Sequence, residues 1–350
     1  MEKNHYQQIE APIFSKSFGI LSDGKEVFQY TLSNSKGSEF SVINYGATIT
    51  SLKIANALSE KNDVVLGFET LEDYINSFDL PSPPYLGTTV GRFAGRINNA
   101  QFKLNDKIIS LNKNHSKHSL HGGIIGFSRK FWSLKSLTNE ENPSITLEYN
   151  SPENEEQFPG KLSVEVTYTL TEENELIVSY IAKSTEDTVI NLTQHSYFNL
   201  DGHSENIIDQ ELFVNSAKTL ETNIDNIPTG NYFDLNRSPL DYNKPKECPI
   251  KIDNTFVLNK ENELAASLYS KKNKLKMSVY TNQPAVHIYV GGNCFNQIRG
   301  KGNANYHSLS GICFEAQNFP DAPNHSHFPT SILKKDEVYI HNTTFKFENL

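Results

Sequence analysis

The chain has 350 residues, 37% of them hydrophobic, and a formal net charge of -9. A nucleic-acid or anionic membrane surface needs a basic excess or stripe, and the lysines here are dispersed among acids, as in KKNKLK at 271–276, which reads as a solvated hairpin edge. Aromatic residues make up 11%, with 21 Phe and 16 Tyr against 2 Met and 1 Trp, and ring residues favour strands, so the expectation is an all-β chain.

Residues 1–16 contain no apolar core of signal-peptide length, and no later apolar run reaches membrane-spanning length, which predicts a soluble, cytoplasmic protein. Apolar residues alternate at Phe28, Tyr30 and Leu32, and again across 39–54 on either side of a break at Tyr45-Gly46, predicting strands. TLEDYINS at 70–77 predicts one short helix, with Thr70 as N-cap and Asp73 in its first turn. Three prolines in LPSPPY, 80–85, exclude regular structure there. A hairpin is expected around Asn105-Asp106. Residues 112–130, polar and glycine-bearing, read as a long ordered loop, a kind of segment that often carries function.

The middle of the chain is the clearest strand text. Leu162, Val164, Val166, Tyr168 and Leu170 alternate with polar residues, turn through Glu173-Asn174 and return as ELIVSYIA. NLTQHSYFNL (191–200), KLKMSVYTN (274–282), AVHIYVGG (285–292) and EVYIHNTTFKF (337–347) continue as strands. No linker, low-complexity segment or fixed-period repeat interrupts them, so residues 1–350 are expected to form a single domain of two large antiparallel sheets packed face to face. The ligand cleft of such a sandwich lies across one sheet or between loops at a rim.

GICFEAQNFPDAPNH, 311–325, carries the most pointed chemistry. As a strand it turns Cys313, Glu315 and Gln317 to the face opposite Ile312, Phe314 and Ala316, and Pro320 and Pro323 then stop the ladder. A carboxylate held on a strand is rigid and can be aimed. His195 lies in NLTQHSYFNL, and read alone is more simply a hydrogen-bonded structural histidine. His121 in LHGG fits a turn cap, or a place where paired glycines let backbone approach a ligand. His287 shares the more polar face of its strand with Ala285 and Tyr289, opposite Val286, Ile288 and Val290. Asp253 opens DNTFVL, where a turn role is the plainer one, and Arg96 with Arg92 in GRFAGR reads alone as part of an ordinary structural ion pair.

Metal, nucleotide and serine-nucleophile chemistries find no motif. His115, His118 and His121 stand three apart, a spacing that suits ligands only on a helix, which the surrounding serines and glycines deny; prolines bracket His325 and His327. Cys248, Cys294 and Cys313 form an odd, sparse set with no CxxC, so neither a disulfide framework nor a zinc site is indicated and a reducing compartment fits. GxGxxG after a strand, the phosphate-cradling GxxxxGK[ST] and G-x-S-x-G are missing, so the expectation is no cofactor and no metal.

Taken together, NYGATITSL (44–52), GRFAGRI (91–97), SLHGG (119–123), NLTQHSYFNL, DNTFVL (253–258), NQPAVHIYVGG (282–292) and FEAQNFPDAPNH (314–325) make the chain resemble the aldose 1-epimerase (galactose mutarotase) family along nearly its whole length. The resemblance implies a large antiparallel β-sandwich of the galactose mutarotase-like supersandwich type, with a free aldohexose in an open cleft and interconversion of its α and β anomers. It implies Glu315 as the base at the C1 hydroxyl and His195 as the acid at the ring oxygen. Arg96, His121 and Asp253 then grip the sugar, and His287 is a further cleft side chain. Opening a hemiacetal removes one proton and donates another with no redox step, so these residue types suffice. An unperturbed glutamate is ionised at neutral pH, whereas a histidine needs a nearby carboxylate to keep its proton.

Asn254, Gly95, Phe319 and Gly292 depart from the commoner family residues and bear on sugar preference rather than on reaction type. A non-catalytic sugar-binding or sugar-sensing protein is the alternative on the same fold. A glycosidase needs two carboxylates, which Asp253 and Glu315 mimic on paper. A hexose 6-phosphate substrate calls for an arginine cluster, and only Arg92, Arg96, Arg129, Arg237 and Arg299 exist. Nothing in the residues specifies whether the chain pairs with itself.

Overall fold

The computed structural model describes residues 13–55, 61–259, 263–291 and 298–350. Gly292, Cys294 and the segment 1–12 therefore lie outside the described residues. Three antiparallel sheets hold most of the strands. The first is a five-stranded meander of Ile13–Ile20, Glu26–Ser33, Glu39–Ile43, Thr48–Ala55 and Lys61–Asp63. The second has nine strands in the spatial order Ser133–Thr138, Ser144–Ser151, Leu162–Leu170, Glu175–Ser184, Val338–Asn349, Leu275–Thr281, Leu264–Ser270, Glu211–Val214 and Lys246–Glu247. The third has six: Tyr197–Phe198, Ile312–Gln317, Ala285–Val290, Ile252–Val257, Lys218–Thr222 and Pro228–Asp234.

Period-two alternation explains how the sheets close on one another. Leu162, Val164, Val166, Tyr168 and Leu170 are all buried, and they pair in register with Glu175–Ser184, whose Leu176, Val178, Tyr180 and Ala182 are buried on the same face. From the six-stranded sheet, Phe256, Val286, Ile288, Ile312 and Phe314 enter the same core as Met277, Val279 and Phe345 of the nine-stranded sheet. Phe198 and Phe345 meet across that gap with ring centroids 4.9 Å apart, and Phe40 joins the five-stranded sheet to Tyr168 at 5.3 Å. The outward face of the six-stranded sheet is then left for other work.

The helix forms where its cap predicts it, Leu71–Ser77, with the Asp73 amide donating to Thr70 Oγ1 at 3.2 Å. The hairpin at Asn105-Asp106 is present, joining Gln101–Leu104 to Lys107–Ser110. Residues 112–130 form mostly loop, as expected, but Ser119–Leu120 pairs with Arg96–Ile97, which ties SLHGG to GRFAGR. Gly122 (φ +86°) makes that approach possible, because a Cβ there would sit 1.9 Å from the Gly91 carbonyl oxygen.

One strand expectation is corrected. NLTQHSYFNL is not a continuous strand: Thr193–Gln194 pairs with Thr89–Val90, and Tyr197–Phe198 pairs with Ile312–Gln317. The chain changes partners between them, at His195, whose own amide donates to Thr88 O and whose carbonyl accepts from Gly87 N, both at 2.9 Å. The partner switch leaves the His195 side chain facing the sheet that carries Glu315. No helix among the described residues is long and apolar enough to cross a membrane.

Candidate active site

A cleft of about 400 Å³ lies over the outward face of the six-stranded sheet. Its floor is built from alternate residues of neighbouring strands, so that Thr255, His287 and Glu315 stand in one cross-strand row, and Asp253, Tyr289 and Cys313 in the next. All six residues singled out from the sequence, Glu315, His195, Arg96, His121, Asp253 and His287, line this one cleft. Glu315 lies at the buried floor of the cleft, on a strand that runs between Tyr197–Phe198 and Ala285–Val290, with the cleft walls rising around it.

Glu315 is 2% exposed and His195 4%, with Glu315 Oε1 3.5 Å from His195 Nε2. The imidazole is held from several sides. It stacks on Tyr85 (centroids 5.9 Å apart, 27° between planes) and on Tyr197 (5.3 Å, 29°). His121 meets it edge-on at 5.6 Å, and Cys313 Sγ lies 3.7 Å from its Nδ1. A ring so packed has little rotational freedom, and its Nε2 stays aimed at the carboxylate.

His121 accepts a hydrogen bond at Nδ1 from the Gly95 amide at 3.3 Å, which leaves its ring proton on Nε2. Burial, then the neighbouring His195, Arg96 and His287, hold its pKa well below the usual histidine value, so the ring is neutral. His287 behaves oppositely. Burial would lower its pKa, but the hydrogen bond and charge of Asp253, with Glu315 behind them, raise it. Its Nε2 lies 3.0 Å from Asp253 Oδ1 and its Nδ1 2.9 Å from Thr255 Oγ1. Burial would raise Asp253, yet the His287 hydrogen bond and charge, with Arg96, bring it down to about 2. Its Oδ2 also accepts from Asn226 Nδ2 at 3.1 Å.

The His287–Asp253 pair makes a pH-dependent contribution to stability with a defined sign. A raised histidine pKa stabilises the fold fully below its unfolded value of about 6.5 and loses that contribution as pH climbs through the folded value; a lowered aspartate stabilises above about 3.9 and fades as pH falls. Urea unfolding of the wild type and of His287→Gln should therefore differ most between about pH 4 and 6.5 and converge toward higher pH. A difference constant from pH 4 to 9 would contradict the pairing.

Two buried polar atoms at the cleft, Arg96 Nε and Gln317 Oε1, have no hydrogen-bond partner among the described residues. One is a donor and the other an acceptor, which suits a ligand rich in hydroxyls. Neither arginine of GRFAGR forms an ion pair with an acid among the described residues, and Arg92 is instead buried among carbonyls, so the ion-pair reading does not hold.

Sequence reasoning did not reach Gln317, Thr255, Tyr289, Asn226 or Tyr85. The first three were findable, since they share strand faces with Glu315, Asp253 and His287. Tyr85 was not: the proline-rich 80–85 segment showed only that it was irregular, whereas it forms one wall of the cleft with Phe78. Of the departures from the family pattern, Gly95 lines the cleft, and a Cβ there would come within 2.9 Å of Pro320. Asn254 does not line the cleft, and Phe319 packs with Leu220, Ala285, Ala322 and Phe328 instead. The histidine run does not converge as a ligand set. His118 is buried between the Asn99 amide (3.0 Å) and Asp225 (3.4 Å), and His325 and His327 are bound to Asp321 and the Gly230 carbonyl.

The aldose 1-epimerase family model matches residues 29–346. Galactose mutarotase of Homo sapiens is 37% identical over 341 residues, covering 94% of this chain and 97% of that protein. Aldose 1-epimerase of Haemophilus influenzae is 32% identical over 347 residues, covering 93% and 97%. Among solved structures, galactose 1-epimerase from Lactobacillus acidophilus superposes with a TM-score of 0.83 at 28% identity, covering 96% of this chain and 98% of that one. An aldose epimerase homologue from C. elegans gives 0.84 at 25% identity, covering 91% and 98%. With a match of this extent joined to a cleft of this composition, the chain belongs to the aldose 1-epimerase family.

Proposed function

We propose that Glu315 and His195 interconvert the α and β anomers of a free aldohexose, galactose or glucose, the reaction for which an aldose 1-epimerase is named. The observation that carries this assignment is the buried carboxylate–imidazole pair, 3.5 Å apart, in a cleft with unpartnered hydrogen-bonding atoms on Arg96 and Gln317. Glu315 takes the C1 hydroxyl proton while the C1–ring-oxygen bond breaks, and the electron pair that leaves with the ring oxygen receives a proton from His195. The product is the open-chain aldehyde. Rotation about C1–C2 presents its other face, and the ring hydroxyl adds back while the two protons retrace their paths. No net proton is consumed.

The remaining residues position the sugar. Neutral His121 offers its Nε2 proton, Arg96 donates, Gln317 accepts, and Asp253 is held ionised by His287 to accept from hydroxyls. His287 stands directly across from Glu315 on the neighbouring strand, so the His287–Asp253 pair borders the base as well. The chain acts as a single domain in the cytoplasm. One core cluster that runs from Tyr30 to Phe347 supports the first part, and a sparse, odd set of three cysteines with no CxxC spacing the second.

Polarimetry of freshly dissolved α-galactose and α-glucose tests the reading: nanomolar to micromolar protein should bring the rotation to equilibrium many times faster than buffer alone. Calorimetric sugar binding with no acceleration of mutarotation would point instead to a sugar-binding protein on the same fold.

A further inference from the structure

The carboxylate–imidazole pair has a third neighbour that anomer interconversion does not use. Cys313 lies two residues before Glu315 on the same face of strand Ile312–Gln317, with its Sγ 3.7 Å from His195 Nδ1. Its side chain is fully buried, and donor atoms of His195, Cys313 and Glu315 all lie within 4.8 Å of one another, the sole grouping of this kind among the described residues.

These separations approach those of a coordination sphere. Zinc bonds of about 2.3 Å to sulfur and about 2.0–2.2 Å to nitrogen and oxygen, arranged tetrahedrally, put sulfur and nitrogen about 3.6 Å apart and nitrogen and oxygen about 3.4 Å apart. The structure has 3.7 Å from Sγ to Nδ1 and 3.5 Å from Oε1 to Nε2, and with one ligand atom taken per residue the three donors lie within 4.8 Å of one another. The two contacts involve different ring nitrogens, so one ion takes one nitrogen and the third donor closes the remaining gap by rotation. Glu315, with the longer side chain and the cleft before it, is placed to make that movement. His195 stays fixed between its tyrosine contacts.

We propose that His195, Cys313 and Glu315 form an inhibitory binding site for a borderline-soft divalent cation, Zn²⁺. Thiolate, imidazole and carboxylate together select zinc over Mg²⁺ or Ca²⁺, which prefer all-oxygen shells. Three protein ligands leave the fourth position open to the cleft, where water completes the sphere. The thiol releases its proton to solvent as the sulfur–zinc bond forms. The ion then occupies the lone pairs that move protons in the reaction, so metal and turnover exclude each other.

The inhibitory half of this inference rests on the acid–base assignment above, whereas metal binding does not. Competition of the metal-free full-length protein with a chromophoric chelator should show one tight Zn²⁺ per chain, weakened about tenfold or more in both Cys313→Ala and Glu315→Gln. Cys313→Ser, closer in size and equally poor as a zinc ligand, serves if the alanine variant does not fold. In polarimetry, free Zn²⁺ should slow the wild type, Mg²⁺ should not, and each cysteine variant, normalised to its own metal-free rate, should need about tenfold more zinc. Unchanged zinc affinity in the cysteine variants would overturn the site. Zinc bound through Cys313 while mutarotation continues at full rate would overturn the inhibition, and the acid–base assignment with it.

Discussion

Glu315→Gln should lower the enzyme-catalysed rate of mutarotation by about a hundred- to ten-thousand-fold, the range expected when one general acid–base group is removed. The amide keeps the size and most of the hydrogen-bonding reach of the carboxylate, so sugar affinity should change little and the loss should fall on kcat. Glu315 is buried on a strand paired in register with Ala285–Val290, where it faces His287, and the substitution removes a buried charge without opening a cavity. The unfolding midpoint should therefore stay close to that of the wild type. Polarimetry at saturating galactose, with urea unfolding on the same preparation, separates the two effects. Retention of more than about a tenth of the wild-type kcat would assign the base elsewhere.

Much of this site was readable from strand periodicity alone, because alternation is a local property that needs no knowledge of partners. It placed Glu315 opposite Phe314, and His287 opposite Val286 and Ile288, and both faces are as expected. The same rule carried the fold through Leu162–Leu170 and its return strand. What stayed hidden depended on distant partners. His195 sits where a segment leaves Thr89–Val90 for Ile312–Gln317, strands roughly a hundred residues away in either direction, and no local pattern announces such an exchange. Tyr85 belongs to a proline-rich stretch whose path is set by the surface it lands on, here the rings of His195 and His121.

The two arginines of GRFAGR make the same point with a measurable consequence. Four residues apart and alike on paper, they end in opposite environments: Arg96 lines the cleft, while Arg92 is 2% exposed. Arg92 Nη1 donates to the carbonyls of Pro159 (2.9 Å) and Gly160 (3.0 Å), and Nη2 donates to Ser151 Oγ at 2.6 Å. Ser151 passes the interaction on to Glu155 at 2.6 Å, and the guanidinium lies over the Phe158 ring at 5.6 Å. Burial pushes its pKa down to about 10, with Glu155 opposing. A buried guanidinium whose two amino groups are already engaged by carbonyls and a serine is not available to hold a phosphate, so the hexose 6-phosphate reading loses one of its five arginines.

Arg92→Met should destabilise the fold by roughly 3–5 kcal/mol, because it strands several buried acceptors at about 1–3 kcal/mol each while the aliphatic part of the side chain is retained. Arg92→Lys keeps the charge but not the planar fork, cannot reach both carbonyls and the serine together, and should fall between the two. The damage should extend to the cleft by a traceable route: Phe127 N donates to Gly91 O, Asn191 N to Arg92 O and Asp321 N to Arg96 O, all between 2.7 and 3.0 Å, so one short segment anchors the stretches that carry His121, His195 and Pro320. Folded Arg92→Met at low temperature should thus bind sugar more weakly while keeping far more kcat than Glu315→Gln. Urea unfolding that shows a loss under about 1 kcal/mol for the methionine variant would mean that these carbonyls find other donors, and the anchoring role would then pass to the backbone bonds alone.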